Sequence, residues 1–232
     1  MKNFADFGIQ IPEILLPKEN LDFQKWAVIA CDQYTSQPEY WNEVENIVGN
    51  SPSTLKMILP EVYLETSEEI QRIENSKNMM KEYLGLGLFQ TFHGMILVER
   101  MVGGKTRYGL MLALDLEKYD FSKGSQTLVR ATEGTIIDRL PPRIRIREGA
   151  KLEFPHILVL IDDPEKTVIE PLVEKKYQFK KLYDFELMKN SGHLTGYAID
   201  QEENLHKIMQ SFDTLANPDR FHQHYNVPEN LG

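Results

Sequence analysis

The sequence predicts an α+β fold: a mixed, largely antiparallel sheet flanked by helices. Three observations carry this. Residues 95–102 and 106–114 are apolar runs joined by Gly103-Gly104, and paired glycines reach positive φ at no steric cost, which marks a hairpin. Leu205, Ile208, Met209, Phe212 and Leu215 fall at i, i+3, i+4, i+7 and i+10, the apolar face of a helix over 201–216. Further strand-like runs lie at 127–132, 156–164, 177–187 and 193–199, and no repeat or low-complexity tract divides them.

Taken in chain order, residues 1–25 read as an extended leader, since Pro12 and Pro17 interrupt any helix. The run 26–31 reads as a buried strand ending at the polar cluster Cys31-Asp32-Gln33-Tyr34. Pro38 suits a first helical turn, so a helix follows over 38–49 and closes at Gly49-Asn50. A short helix ends before Pro60, and residues 62–65 suggest a strand. The longest helix spans 67–84, with Ser67 as N-cap and Ile70, Ile73, Met80, Tyr83 and Leu84 as its apolar stripe. Its methionines fit a core better than a cofactor pocket. Gly103-Gly104-Lys105-Thr106 has phosphate-loop composition, but a strand follows where a helix N-terminus is needed, which favours the turn. Arg139, Arg143 and Arg147 recur every four residues and share a face if the chain is helical after Pro141-Pro142. Residues 156–164 read as a buried strand ending at a turn, and 165–176 as a helix. The whole chain, 1–232, reads as one α+β unit, with 1–90 an optional N-terminal lobe.

Bulk properties exclude several classes. The composition is 41% hydrophobic and 26% charged, ordinary for a globular protein and wrong for a disordered one. The net charge is −9, from 35 acidic against 26 basic residues, which weighs against a nucleic-acid partner without excluding a local basic patch. The single cysteine, Cys31, precludes an internal disulfide and fits a reducing cytoplasm. No apolar run approaches the roughly 18 residues of a membrane span. The sequence leaves an oligomer open.

Four places could carry chemistry. Asp32, at the end of the expected strand, could bind magnesium or accept a hydroxyl proton, with Tyr34 beside it. The competing reading is a capped turn. Cys31 has no nearby histidine in sequence to activate it, so a structural thiol is favoured. The block Arg130-Ala131-Thr132-Glu133-Gly134-Thr135, with Asp138, Arg139 and Arg143, combines guanidinium groups with a carboxylate and hydroxyls. That suits phosphate or carboxylate binding; it equally suits a salt-bridge network bracing a helix against the sheet. His222 and His224 lack further ligands at metal spacing, which favours a polar helix end. Asp162-Asp163-Pro164 could bind magnesium but more readily forms a turn.

These segments resemble a known family. Residues 26–34 are similar to its N-terminal signature, a strand running into a Pro-Pro-Tyr-Asp-like turn, with Cys31 where that family has proline. Arg130-Ala131-Thr132-Glu133-Gly134-Thr135 with Asp138-Arg139-Leu140 resembles its Arg-His-Glu-x-Thr…Asp-Arg-Leu block, with Ala131 in place of histidine. Residues 156–164 resemble its next strand and Asp-x-Pro turn. The family is domain of unknown function 1015, bacterial and archaeal, and is distantly similar to the ParB/sulfiredoxin-like group that includes free serine kinases. The resemblance implies a ParB/sulfiredoxin-like sheet. It also implies that the chain is the N-terminal portion of a longer protein, since family members continue into an Asp-Gly-His-His-Arg-like motif.

Three functions follow as expectations. The first is an ATP- or ADP-dependent phosphotransferase acting on a small hydroxyl substrate such as free serine, inactive as this fragment. There Glu133 or Asp32 would take the hydroxyl proton, Arg139 and Arg143 would offset phosphate charge, Tyr34, Arg130, Thr135 and Asp138 would line the ligand, and Mg2+ would bridge phosphates. The second is a non-catalytic nucleotide or small-anion binding module. The third is an interaction scaffold in which the arginines pair with carboxylates of this chain or of a second subunit.

Overall fold

The computed structural model describes residues 3–120, 128–129, 137, 140–154, 156–217 and 219. β1 (Ile9–Gln10) and β2 (Glu13–Pro17) open the chain, followed by α1 (Phe23–Trp26), α2 (Pro38–Val48) and α3 (Glu69–Gly85). Then come β3 (Phe89–His93), β4 (Met95–Val102), β5 (Lys105–Met111) and β6 (Ala113–Leu114). α4 (Leu140–Arg147), α5 (Glu170–Glu174), β7 (Lys181–Glu186), β8 (His193–Ile199) and α6 (Glu202–Leu215) complete the order. Short 3-10 turns at Thr54–Met57 and Glu61–Tyr63 link α2 to α3.

The fold is α+β, with antiparallel sheets. The main sheet runs β5-β4-β8-β7, every neighbour antiparallel, and β2 pairs with β3 and β1 with β6 in two small ribbons. Gly103 and Gly104 take φ 55° and 74° at the β4–β5 turn, so both central residues are left-handed as the expected hairpin requires. Met95, Leu97, Tyr197 and Ile199 of the two central strands pack against Ile208 and its helical neighbours Leu205, Met209, Phe212 and Leu215, as the periodicity of α6 demands. A second core gathers Tyr40, Trp41, Val44 and Val48 of α2 with Leu55, Leu59, Tyr63 and Ile73. A third holds Trp26, Met57, Met80 and Tyr83. Each fully buried Val, Leu or Met in these cores contributes roughly 1.5–3 kcal/mol relative to exposure. Among the described residues no helix is long and apolar enough to cross a membrane.

Several expectations fail for identifiable reasons. Residues 26–31 form no strand. Trp26 ends α1, packs on Tyr83 and Phe89, and its carbonyl accepts from Ser53 Oγ at 3.2 Å and Thr54 Oγ1 at 2.8 Å. Side-chain donors thus satisfy a carbonyl that a sheet would otherwise pair, and Val28 and Ile29 pack irregularly on the α2 core. Residues 62–65 are not a strand either: Tyr63 is buried in a 3-10 turn after Pro60. Ile70 is 69% exposed, because the buried face of α3 runs through Glu69, Ile73, Ser76, Met80 and Tyr83; no side chain caps that helix at its start. The expected helix 165–176 shrinks to α5 and a 3-10 turn at Lys176–Gln178. The leader contributes β1 and β2 instead of merely lying on the body. Residues 156–164 form no buried strand: Ile157, Leu158 and Leu160 are each more than three-quarters exposed. The expected strand 127–132 lies outside the described residues except for Leu128 and Val129, the latter bridged to Tyr119.

Candidate functional site

The segment 30–37, between α1 and α2, is a loop without regular structure. Three contacts fix it. Trp41, fully buried, donates through its indole Nε1 to the Gln33 carbonyl at 3.2 Å. The Glu61 amide donates to the Cys31 carbonyl at 2.8 Å, and the Gln37 amide to the Tyr34 carbonyl at 3.2 Å. Tyr34 takes a left-handed φ of 52°, which turns its ring flat onto Tyr40, centroids 4.0 Å apart and planes 6° apart. Tyr40 is buried, packs edge-on against Trp41, and its hydroxyl lacks a hydrogen-bond partner of normal geometry, with Ser191 the neighbouring side chain that lowers its pKa against the rise from burial. The outer face of Tyr34 stays open to solvent.

The β7–β8 turn reaches this loop. Lys189 and Asn190 are both left-handed, and Met188 is buried in the α2 core. The turn brings the Lys189 ammonium within 5.3 Å of the Tyr40 ring centre and into an ion pair with Glu43. A cation over an aromatic face adds electrostatic attraction to the packing.

On the other side stands α4. Pro141 and Pro142 occupy its first turn, where a missing N–H costs nothing, so Arg143 and Arg147 lie on one helix as their spacing predicts; Arg139 lies outside the described residues. Arg143 Nη2 donates to Glu61 Oε1 at 2.6 Å. Arg145 pairs with Glu69, and Arg147 Nη1 lies 2.5 Å from Glu153 Oε1. Arg143 and Arg145 therefore brace α4 against α3 and the turn before it, not against the sheet, while Arg147 ties α4 to the segment that follows it. The hydrogen bond to Glu61 raises the Arg143 pKa first of all, with Cys31 and Asp32 adding to it. Burial pushes the Cys31 thiol up to about 11, and the negative charges of Asp32 and Glu61 push the same way against the opposing pull of Arg143. Cys31, Asp32, Glu61 and Arg143 thus act on one another as a single electrostatic cluster. A thiol so placed is protonated at neutral pH, in keeping with a structural role.

Of the residues singled out in the sequence, Asp32 and Arg143 lie within electrostatic range of each other, and Tyr34 follows Asp32 by two residues in the same loop, stacked on Tyr40. Arg130, Glu133, Thr135, Asp138 and Arg139 lie outside the described residues, as do His222 and His224. Asp32 is not at the end of a strand, since no strand precedes it. Asp163 forms the expected turn: its Oδ2 accepts from the amides of Thr167 at 2.6 Å and Val168 at 2.8 Å. Among the described residues no group of three or more His, Cys, Asp or Glu is arranged to hold a metal ion. Sequence reasoning missed Glu61 and Lys189 because each joins the site through a long-range contact that no local pattern encodes, and Tyr40 because it read only as part of a helix face.

A second polar array lies on one face of the main sheet. His193 Nε2 is 2.5 Å from Asp184 and its Nδ1 is 2.8 Å from Glu186, while Lys181 also pairs with Asp184. Beside it Lys176 meets Glu99 and donates to the Tyr108 hydroxyl at 2.9 Å. Burial alone would lower the Lys176 pKa, but its partners Glu99 and Tyr108 outweigh that and raise it. Nearly every group in this array is already paired, which makes it a brace and leaves little room for a ligand.

Residues 15–220 match the family described as protein of unknown function (DUF1015). The chain belongs to that family. No curated protein and no solved structure matches this DUF1015 chain. Membership establishes kinship and assigns no function.

Proposed function

We propose that this DUF1015 chain binds a small phosphate-bearing molecule, of nucleotide class, at the face shared by Asp32, Tyr34 and Arg143. One observation carries the reading. Arg143 uses a single nitrogen on Glu61, is about half exposed, and lies within electrostatic range of the exposed carboxylate of Asp32. Its remaining N–H groups suit two oxygens of a phosphate, the geometry in which guanidinium groups bind most strongly. Tyr34, two residues beyond Asp32, offers a free aromatic face on which a base could stack.

Mg2+ fits such a site as a partner of the ligand. It is commonly held by one or two carboxylates together with phosphate oxygens, and Asp32 would be the protein's contribution. The ion would neutralise phosphate charge; Arg143 would orient the phosphate, and Tyr34 would shield one side from water.

Phosphoryl transfer from ATP or ADP to a small hydroxyl substrate is the more specific form of the same reading. It rests on the resemblance to free serine kinases and adds Glu133 and Arg139 to the site. Calorimetric titration with magnesium-ADP, magnesium-ATP and inorganic phosphate, alongside a turnover assay with serine on the full-length gene product, separates the forms. Binding with turnover supports the phosphotransferase, and binding without turnover supports a sensing module. Absence of binding to all three probes overturns both.

A further inference from the structure

Ile157, Leu158, Val159, Leu160 and Ile161 are 76, 76, 56, 79 and 40% exposed. None belongs to any of the three apolar cores. Among the described residues, none of these five makes a main-chain hydrogen bond, and none lies in a helix or strand. Five successive apolar residues, three of them β-branched, have the composition of a strand buried on both faces. Left alone in water, such a segment offers open donors, open acceptors and a continuous apolar surface, the combination that marks an association site.

The order of the residues selects the occupant. Ile157-Leu158-Val159-Leu160-Ile161 reads the same in both directions. Two copies laid antiparallel about Val159 set Ile157 against Ile161, Leu158 against Leu160 and Val159 against itself. His156 precedes the run and Asp162 follows it, so the same register sets the imidazole of each copy opposite the carboxylate of the other. A parallel pairing would instead oppose Asp162 to Asp162, and like charges opposite one another destabilise a ladder. Pro155 and Pro164 bracket the segment in sequence; proline cannot donate to a ladder, so the pairing stops after one short ribbon and does not propagate.

We infer that residues 156–162 pair with the same residues of a second copy of this chain, as an antiparallel ribbon centred on Val159. The assembly is a closed twofold dimer, in which one patch meets itself. It is independent of the ligand site around Arg143.

Charge substitution tests both the partner and the register. In the proposed register, position 158 of one copy faces position 160 of the other. A Leu158→Lys/Leu160→Lys variant therefore opposes lysine to lysine, and a Leu158→Glu/Leu160→Glu variant opposes glutamate to glutamate. Sedimentation velocity on the full 232-residue chain, from low micromolar to millimolar concentration, is expected to show a wild-type dimer. Each double variant should be monomeric, its dissociation constant raised roughly 100-fold or more. Both positions are highly exposed, so neither variant should lose its fold, which circular dichroism and an unchanged melting midpoint verify. Mixing the two variants should restore a one-to-one heterodimer, because every lysine then meets a glutamate. A wild-type chain that stays monomeric throughout the range overturns the proposal. So does a dimer indifferent to both variants, or a mixture that fails to reassociate.

Discussion

Arg143 and Glu61, 82 positions apart, meet at 2.6 Å, and their contact pins α4 beside the loop that carries Asp32 and Tyr34. The pairing is unequal. The Arg143 side chain is 47% exposed and that of Glu61 only 9%, so the carboxylate belongs to the protein and the guanidinium faces outward. A half-exposed pair of this kind contributes little to stability, about 1 kcal/mol or less once solvent screening is counted. Its significance lies in holding a cationic donor in place through one nitrogen, with no other side-chain hydrogen bond from Arg143 among the described residues.

The thiol of Cys31 reports on this cluster. With its pKa pushed up to about 11 by burial, Asp32 and Glu61, Cys31 should react with iodoacetamide at neutral pH far more slowly than an ordinary thiol. Asp32→Asn removes a negative charge, lowers the thiol pKa and should speed labelling several-fold. Labelling at the rate of a free thiol in the wild type would contradict the cluster.

His193 makes stability depend on pH. A neutral imidazole has one N–H, yet both ring nitrogens face carboxylates, Asp184 and Glu186, and these two partners in that order raise the His193 pKa. The contribution is therefore fully present below the unfolded value near 6.5 and is lost as pH rises through the raised folded value. Asp184 works at the other end: Lys181 and then His193 hold it down at about 2, so its contribution is present above the ordinary value of 3.8 and is lost as pH falls toward 2. Thermal melts should show wild type losing stability between neutral and mildly alkaline pH, and His193→Gln losing none across that window. Parallel profiles would sink the assignment.

Gly192 is required at the β7–β8 turn. Its φ is 109°, and an added Cβ would stand 2.4 Å from the Met101 carbonyl oxygen, a backbone atom that cannot swing aside. Gly192→Ala should cost about 3 kcal/mol or more in urea unfolding. Gly103 has φ 55° but open space around it, so Gly103→Ala should cost only about 1 kcal/mol. Equal losses would mean that strain alone, and not the contact with β4, sets the requirement.

Trp41→Phe keeps an aromatic ring in the core but removes the donor to the Gln33 carbonyl. The expected cost is roughly 1–3 kcal/mol, for a smaller ring and a lost hydrogen bond. Because that bond shapes the loop between Asp32 and Tyr34, affinity for magnesium-ADP should fall as well. Unchanged affinity in a folded Trp41→Phe protein would detach the loop from binding.

Much of the fold was legible because its signals are local. The period of α6, the glycine pair at the β4–β5 turn and Pro38 at the start of α2 each act within a few residues. The errors fall where a short apolar run has no period of its own. Residues 26–31 and 156–164 look alike in sequence, yet the first packs irregularly on a helical core and the second stays exposed. Periodicity cannot distinguish these from a buried strand. Asp32, Tyr34 and Arg143 were visible as chemistry-bearing residues. Glu61, which aims Arg143, was invisible because its partner lies 82 positions away and follows no spacing rule.

The most direct test compares three arginines on one short helix. Arg143, Arg145 and Arg147 are similarly exposed, at 47, 48 and 46%, but Arg143 pairs with Glu61 within electrostatic range of Cys31 and Asp32, whereas Arg145 pairs with Glu69 and Arg147 with Glu153. Calorimetric titration of magnesium-ADP into the wild type and three single alanine variants isolates that difference. Arg143→Ala should weaken binding at least about tenfold, while Arg145→Ala and Arg147→Ala stay within about twofold of wild type. Equal loss in all three, or no loss in Arg143→Ala, would contradict a ligand site at Asp32, Tyr34 and Arg143.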